Sequence, residues 1–544
     1  MKNSKNTIAW IPIVIALSLI GGIWLGLHFS NKVSHTSGQR KLDNILGLIE
    51  SDYVDEVDID SIIELTIPKL MANLDPHSTY IPASELQAVN EDLDGSFSGI
   101  GVSFTMLTDT VTINDVNAGA PSEKVGIMPG DRVITIDDSL VAGQGIVDTD
   151  IVKMLRGEKG TTVNLGIKRN NSNNLLTFEV TRGDIPVNTV DAAYLINPTT
   201  GYVKVNKFGR TTYSEFFTSL VKLKAAGARN FILDLRGNGG GFMEMAIMMA
   251  NEFLPANSPI VYTRGRNDDD ESRVFSDGTG SFIDSELVVL IDEYSASASE
   301  IFAGAMQDND RALIVGRRSF GKGLVQRQTT LPDSSAIRLT VSRYHTPSGR
   351  CIQKDYQLGK RGTYEQEILD RYDHGEFYNS DSIKFNKDLQ YTTAGGRTVY
   401  GGGGIMPDFF VPNDTAGISS YYINVLNAGL LQRFAFEYSD RYRERLSAAK
   451  NVNEILALLP PDDELLQLFV SYAAQNGIPA RWYYINISQG LIVNYLKALI
   501  ASDIIGRQAY YEVANTIDPA FNQAVTHLEQ GDAAVPITAQ GKVN

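Results

Sequence analysis

The chain has 544 residues, of which 43% are hydrophobic and 21% charged; this is the composition of folded domains, and the length suggests about three or four of them. Its 64 acidic residues outweigh 48 basic ones, for a formal net charge of −16, which argues against nucleic-acid binding through phosphate neutralisation. A single cysteine, Cys351, rules out an internal disulfide and a four-cysteine zinc site, and six scattered histidines without an H-E-x-x-H pattern argue against any zinc site.

The 20 residues from Ile8 to Leu27 carry no charge, the length needed to cross a bilayer. "HFSNKVSH" follows in place of a small-x-small cleavage site, so segment 1–30 reads as an uncleaved membrane anchor in preference to a signal peptide. Lys2 and Lys5 favour a cytoplasmic N-terminus, with Lys32 and Arg40 opposing. The bulk of the chain is then expected in the periplasm or otherwise outside the cytoplasmic membrane.

In residues 38–90, "LDNILGLIESDYV" and "DSIIELTIPKLMANL" repeat apolar positions at three- and four-residue spacing, which predicts helices. The turn "DPHSTYIP" ends them, and His77 within it reads as a capping or packing residue. Residues 91–183 change to short strands, "IGVSFTM", "TVTINDV", "DRVITID", "TTVNLGI" and "LLTFEVT", separated by glycine turns, as in a small β-domain. In residues 184–411 the strands "GYVKV", "NFILDL", "ELVVLID" and "RALIVG" alternate with the helices "SEFFTSLVKLKAAG" and "ASEIFAGAMQD", an α/β order. Residues 412–544 return to helices. Their amphipathic "YYINISQGLIVNYLKALIASDIIG" reads as packing against a core or a partner, not as a second membrane span.

Three stretches could carry chemistry. "IDEYSASASEIF" places serines where a strand gives way to a helix. Ser297 with Glu300 three residues on fits a capping box, and a serine at a helix N-terminus also lies among free N–H groups that can stabilise an oxyanion. "LDLRGNGGGF" is a strand, a glycine turn and a helix; it lacks the last glycine of a dinucleotide fingerprint but could offer exposed amides to a substrate carbonyl. "GRRSFGKG", residues 316–323, is one letter from a P-loop, with Gly323 where a magnesium-binding hydroxyl is required. Lys322 there can be a surface lysine, a failed phosphate ligand or a general base, the last needing burial to lower its pKa. Gln326, four residues on, could orient the amine on a helical turn. There is no G-x-S-x-G elbow for a Ser-His-Asp hydrolase using His77 or His345, and Cys351 reads as a small packing residue.

Together these stretches resemble the carboxyl-terminal processing peptidases, or tail-specific proteases. The resemblance covers about Lys41 to Val411 and includes "SDYVDEVD", "LDPHSTYIP", "APSEKVGIMPGDRVITID", "LRGEKGTTV", "TPSGRCIQ" and "GGRTVYGGGGIMPD". It implies a serine/lysine dyad of Ser297 and Lys322 with Gln326 beside it, and an oxyanion hole formed by the Ala298 amide and that of Gly239 or Gly240. It also implies a PDZ module whose Gly99, Ile100, Gly101 and Val102 loop holds a peptide C-terminus, presenting or gating substrate. The fold expected is multidomain: membrane anchor, helical segment, PDZ β-domain, α/β serine protease core and helical C-terminal region. The function expected is a membrane-anchored serine endopeptidase of the cell envelope, cutting polypeptides near free C-terminal tails without metal or cofactor. Its helical N- and C-terminal parts leave room for a homo-oligomer. The alternative is a non-catalytic PDZ scaffold that binds tails; the joint presence of serine, lysine and glutamine favours the enzyme.

Overall fold

The computed structural model describes residues 36–531, apart from 107–108, 118, 170–173 and 268–269, together with the isolated positions 16 and 18. The expected anchor, those two positions excepted, lies outside the described residues; among the latter no helix is long and apolar enough to cross a membrane. The chain divides into two units, residues 1–70 and 71–544. In the first, the helix Ser37–Asp52 begins at a capping box: Thr36 Oγ1 accepts the Gln39 N–H at 3.3 Å and Gln39 Oε1 accepts the Thr36 N–H at 2.7 Å. The helix Ile59–Met71 follows.

The second unit is built around a six-stranded sheet in the order Val190–Asn197, Thr200–Val205, Asn230–Asp234, Leu287–Ile291, Leu313–Gly316, Phe409–Phe410. The first pair is an antiparallel hairpin and all later pairs are parallel, so the chain must cross over between strands. The helices Thr212–Ala225, Met243–Asn251 and Ala298–Asp308 lie in those crossovers. Strand side chains alternate between faces. Phe231, Leu233, Val289 and Ile291 join a core with Phe216, Met249 and Phe302 of the crossover helices. Ile232, Val288 and Leu290 point the other way, where Phe521, Ala524 and Leu528 of the helix Pro519–Gln530 cover them. The end of the helical C-terminal region is therefore a layer of the peptidase core, a packing that the reading of residues 412–544 as helices did not disclose. Asp518, the N-cap of that helix, also accepts two hydrogen bonds from Arg236 Nη1, at 2.7 and 2.9 Å, tying it to the "DLRGNGGG" turn.

The β-domain folds as expected, with strands Val102–Met106, Val111–Val116, Arg132–Ile136, Thr162–Lys168 and Leu176–Thr181 in that order across an antiparallel sheet. Val111, Ile113, Val133, Ile136, Val163 and Leu165 are among its fully buried core residues. The strands that enter and leave it, Ser96–Gly99 and Gly183–Pro186, pair with each other as a two-stranded stalk, and Arg132 reaches Asp440 of the helix Leu430–Arg441 at 3.7 Å. Val102–Met106 lies at the edge of the sheet and pairs on one side only, among the described strands.

Another sheet, not foreseen, is centred on Ala336–His345, which pairs with Leu324–Thr330, Thr79–Ile81 and Pro259–Arg264. It carries the "DPHSTYI" segment and the residues after Lys322 to the same place. The helices between Ser420 and Ile505 enclose a core of their own, with Leu431, Phe469, Ile485, Ile492 and Leu496 fully buried.

Candidate active site

The strand Leu287–Ile291 ends in a turn held by the Asp292 carboxylate, which accepts the N–H groups of Gly237, Tyr294 and Ser295 at 2.9–3.1 Å. Three serines follow at alternate positions, and burial separates them. Ser295 and Ser299 are fully buried, with hydroxyls donating to the carbonyls of Leu235 and Asn238 at 2.9 and 2.8 Å. Ser297 is partly exposed and opens on a cleft of about 540 Å³. Its φ of 56° is a conformation that side chains with a Cβ rarely adopt, and such outliers cluster at functional sites.

The glycine turn closes on this serine. Gly240 has a φ of 100°, and a Cβ there would come within 2.7 Å of both Ser297 Cβ and the Ala296 oxygen, and 3.0 Å of Ala298 N. Glycine is thus required by backbone conformation and by close approach together. The Gly240 N–H donates to Asn238 Oδ1 at 2.9 Å, whereas the Gly239 N–H has no hydrogen-bond partner among the described residues. Asp234 and Arg236 brace the turn from behind. Burial opposes ionisation of Asp234, but Arg236 and Lys204 hold its carboxyl well below the usual range.

Lys322 lines the same cleft, as do Gln326, Gly239 and Gly240. Its Nζ donates to Gln326 Oε1 at 3.2 Å, and the Gln326 amide nitrogen donates in turn to the His77 carbonyl, which fixes which end of the amide faces the amine. Gln326 is not on a helical turn: it lies on the strand Leu324–Thr330, opposite Thr340. A spacing of four suits one helical turn and two strand repeats alike, and pairing with Ala336–His345 decides between them. For the same reason no helix N-terminus follows Lys322 to cradle a phosphate, which leaves the P-loop resemblance without its anion site. Burial, and after it the charge of Arg338, holds the Lys322 ammonium below its ordinary value; Glu300 and Asp75 act the other way.

Glu300 joins the two halves. Its fully buried carboxylate accepts the Ser297 N–H at 2.8 Å, the Lys322 N–H at 2.9 Å, the Gly321 N–H at 2.7 Å and the Ser319 hydroxyl at 2.5 Å. The S-x-x-E spacing marked it only as a cap. Tyr344 is a second bridge, its hydroxyl 2.6 Å from the Lys322 oxygen and 3.2 Å from the Ser297 oxygen, and nothing in the sequence singled it out. His77 packs, as expected: its Nε2 meets the Tyr364 hydroxyl at 2.9 Å, and burial followed by the Lys322 charge brings its pKa down to about 4. Asp75 anchors this turn, accepting from the His77 and Ser78 N–H groups and from Thr340 Oγ1. Cys351 is half-buried, and burial raises its thiol pKa.

In the β-domain loop, Gly99 ends the stalk strand, Ile100 is buried and Val102 opens the edge strand. Gly101 has a φ of 78°, and a Cβ there would stand 2.3 Å from that of Ala120. The carbonyls of Ile100 and Gly101 accept the Ser122 and Asn117 N–H groups at 3.0 Å, which braces the loop.

Residues 199–360 match the model of peptidase family S41, residues 98–181 that of the PDZ domain, and residues 421–506 a family of unknown function. The chain is 34% identical over 318 residues to a carboxy-terminal-processing protease of Bartonella bacilliformis, which covers 58% of this chain and 72% of that protein. It is 32% identical over 351 residues to the carboxy-terminal processing protease CtpA of Bacillus subtilis, covering 64% and 74%. The chain belongs to peptidase family S41. Among solved structures, the photosystem II D1 C-terminal processing protease is similar, at 27% identity over 60% of this chain and 94% of that one, with a TM-score of 0.32. This S41 protein is a serine-type peptidase of the carboxy-terminal processing kind, with a PDZ domain, an α/β core and a helical C-terminal region.

Proposed function

We propose that this S41 peptidase is an endopeptidase that cuts polypeptides near their C-terminal tails, with Ser297 as nucleophile and Lys322 as general base. The carrying observation is that Ser297 and Lys322 open on one cleft, with the amine held by Gln326 and depressed in basicity by burial. Neutral Lys322 takes the Ser297 proton as Oγ bonds to the scissile carbonyl carbon. The ammonium so formed returns a proton to the departing amine, and water attacks the acyl-serine by the same route. The Ala298 amide, at the N-terminus of its helix, is one donor to the oxyanion. The second is in the glycine turn: Gly239 has the uncommitted N–H, whereas Gly240 would have to give up Asn238. The test is to incubate the protein with an unfolded, tailed polypeptide and identify fragments by mass spectrometry. Ser297→Ala is expected to abolish cleavage while keeping the fold; fragments that persist would overturn the assignment of the nucleophile.

The PDZ domain, in this reading, takes the substrate tail as an added strand along the open edge of Val102–Met106, with the Gly99–Val102 loop at the terminal carboxylate. Peptides with a free C-terminus should therefore bind about tenfold or more tightly than amidated twins, the worth of a hydrogen bond to a charged group. Equal affinities in a fluorescence-anisotropy titration would rule out tail reading by this domain. The uncharged stretch Ile8–Leu27 supports anchorage in a membrane, with the peptidase on the far side from the cytoplasm.

A further inference from the structure

Arg338 stands on the strand Ala336–His345 and lines the same cleft as Ser297 and Lys322. A guanidinium carries five donors and is always charged. One of these, on Nη2, reaches Gln328 Oε1 at 2.9 Å, and Gln328 is itself held through its amide nitrogen to Asn90 Oδ1 at 2.9 Å. Among the described residues no carboxylate forms an ion pair with Arg338. Most other sheltered arginines of the core contrast with it: Arg236, Arg317, Arg318, Arg350, Arg371 and Arg397 each pair with an aspartate or glutamate, and Arg311, which has no such pair, donates instead to the carbonyls of Phe253, Phe282, Ile283 and Ser285. Its charge acts on another cation of the cleft, Lys322, whose basicity it depresses. Burial disfavours the Arg338 charge with no anion to offset it. A partly desolvated cation without a counter-ion is costly, and an incoming anion that forms two parallel hydrogen bonds relieves that cost.

We propose that Arg338 is a specificity-determining residue of the cleft and binds a carboxylate of the polypeptide substrate. The inference rests on the reading of this cleft as the site of peptide cleavage. Two sources share the chemistry: an aspartate or glutamate side chain near the scissile bond, or the terminal carboxylate of a short tail. The overall negative charge of the protein makes the arrangement selective, because a carboxylate is repelled by most of the surface and attracted here.

The experiment uses the full chain carrying Ser297→Ala, so that peptides bind without being cut. Labelled peptides of one cleavable sequence carry glutamate or its glutamine twin at each position in turn, all amidated; a further pair differs only in a free or amidated C-terminus. At one position glutamate is expected to bind about tenfold or more tightly than glutamine. If the preference resides instead in the free C-terminus, the terminal carboxylate is the ligand. In either arm Arg338→Gln brings the ratio to parity, Arg338→Lys keeps part of it, and Arg338→Glu turns it toward a lysine-bearing twin. A terminal preference due to the PDZ domain would survive Arg338→Gln. Parity for every twin in the Ser297→Ala protein, or a preference indifferent to Arg338, overturns the proposal. Cleavage that persists in Ser297→Ala would sink the catalytic reading instead, and the twins are then compared by relative cleavage rate, with the same dependence on Arg338.

Discussion

Lys322→Arg is expected to lower kcat/KM by about 10²- to 10⁴-fold, the usual contribution of a general base. Arginine keeps the positive charge and most of the reach, but its guanidinium stays protonated at any pH the fold survives. The substitution therefore separates proton transfer from charge and packing. The native enzyme should also show a rising limb in kcat/KM with pH. Lys322 must be neutral to accept the Ser297 proton, so activity is low while the amine is protonated and reaches its plateau above the lysine pKa. Burial and Arg338 place that limb below the ordinary lysine value of 10.5. Steady-state rates on a fluorogenic peptide across pH check both points. A Lys322→Arg enzyme that retains native rates and the same limb would exclude Lys322 as the base.

Glu300→Gln should cost both activity and stability, although it changes one atom and no volume. All four partners of the carboxylate are donors: three backbone N–H groups and the Ser319 hydroxyl. A glutamine must turn its NH₂ toward some of them, leaving buried donors facing a donor. Each hydrogen bond lost to a charged group is worth about 1.5–3 kcal/mol, so a lowered melting temperature is expected. The N–H groups at stake include those of Ser297 and Lys322. Their displacement should lower kcat far more than it raises KM, since a misplacement of about 1 Å can cost about 10²-fold. Thermal melting together with kcat and KM for Glu300→Gln checks this. A variant that melts early yet keeps native kcat would confine Glu300 to a structural role.

Local pattern was enough for much of the architecture. The helix "ASEIFAGAMQD" occupies Ala298–Asp308, and the apolar run of "ELVVLID" is the central strand Leu287–Ile291, buried at all five positions. Period and turn chemistry act over a few residues, so such elements are legible without partners. The stretches around Ser297, Lys322 and the glycine turn were also visible as motifs, because their residue types and order are unusual together. What those motifs could not contain is the geometry that joins them. The Gln326 amide is aimed by the carbonyl of His77, 249 residues earlier in the chain, and the Asp75 carboxylate that anchors that turn reaches Thr340 across 265 residues. Glu300 had the signature of an ordinary cap, and only folding brought the loop from Ser319 to Lys322 onto its carboxylate. The helix Pro519–Gln530 had an apolar face like any surface helix; the sheet face it covers, and the Arg236 it holds through Asp518, were decided by tertiary packing. Sequence by itself determined many of the strands and helices and which side chains are chemically able. The tertiary structure decided which of them meet, because hydrogen bonds and burial between distant segments depend on where the chain returns, and no local pattern encodes that return.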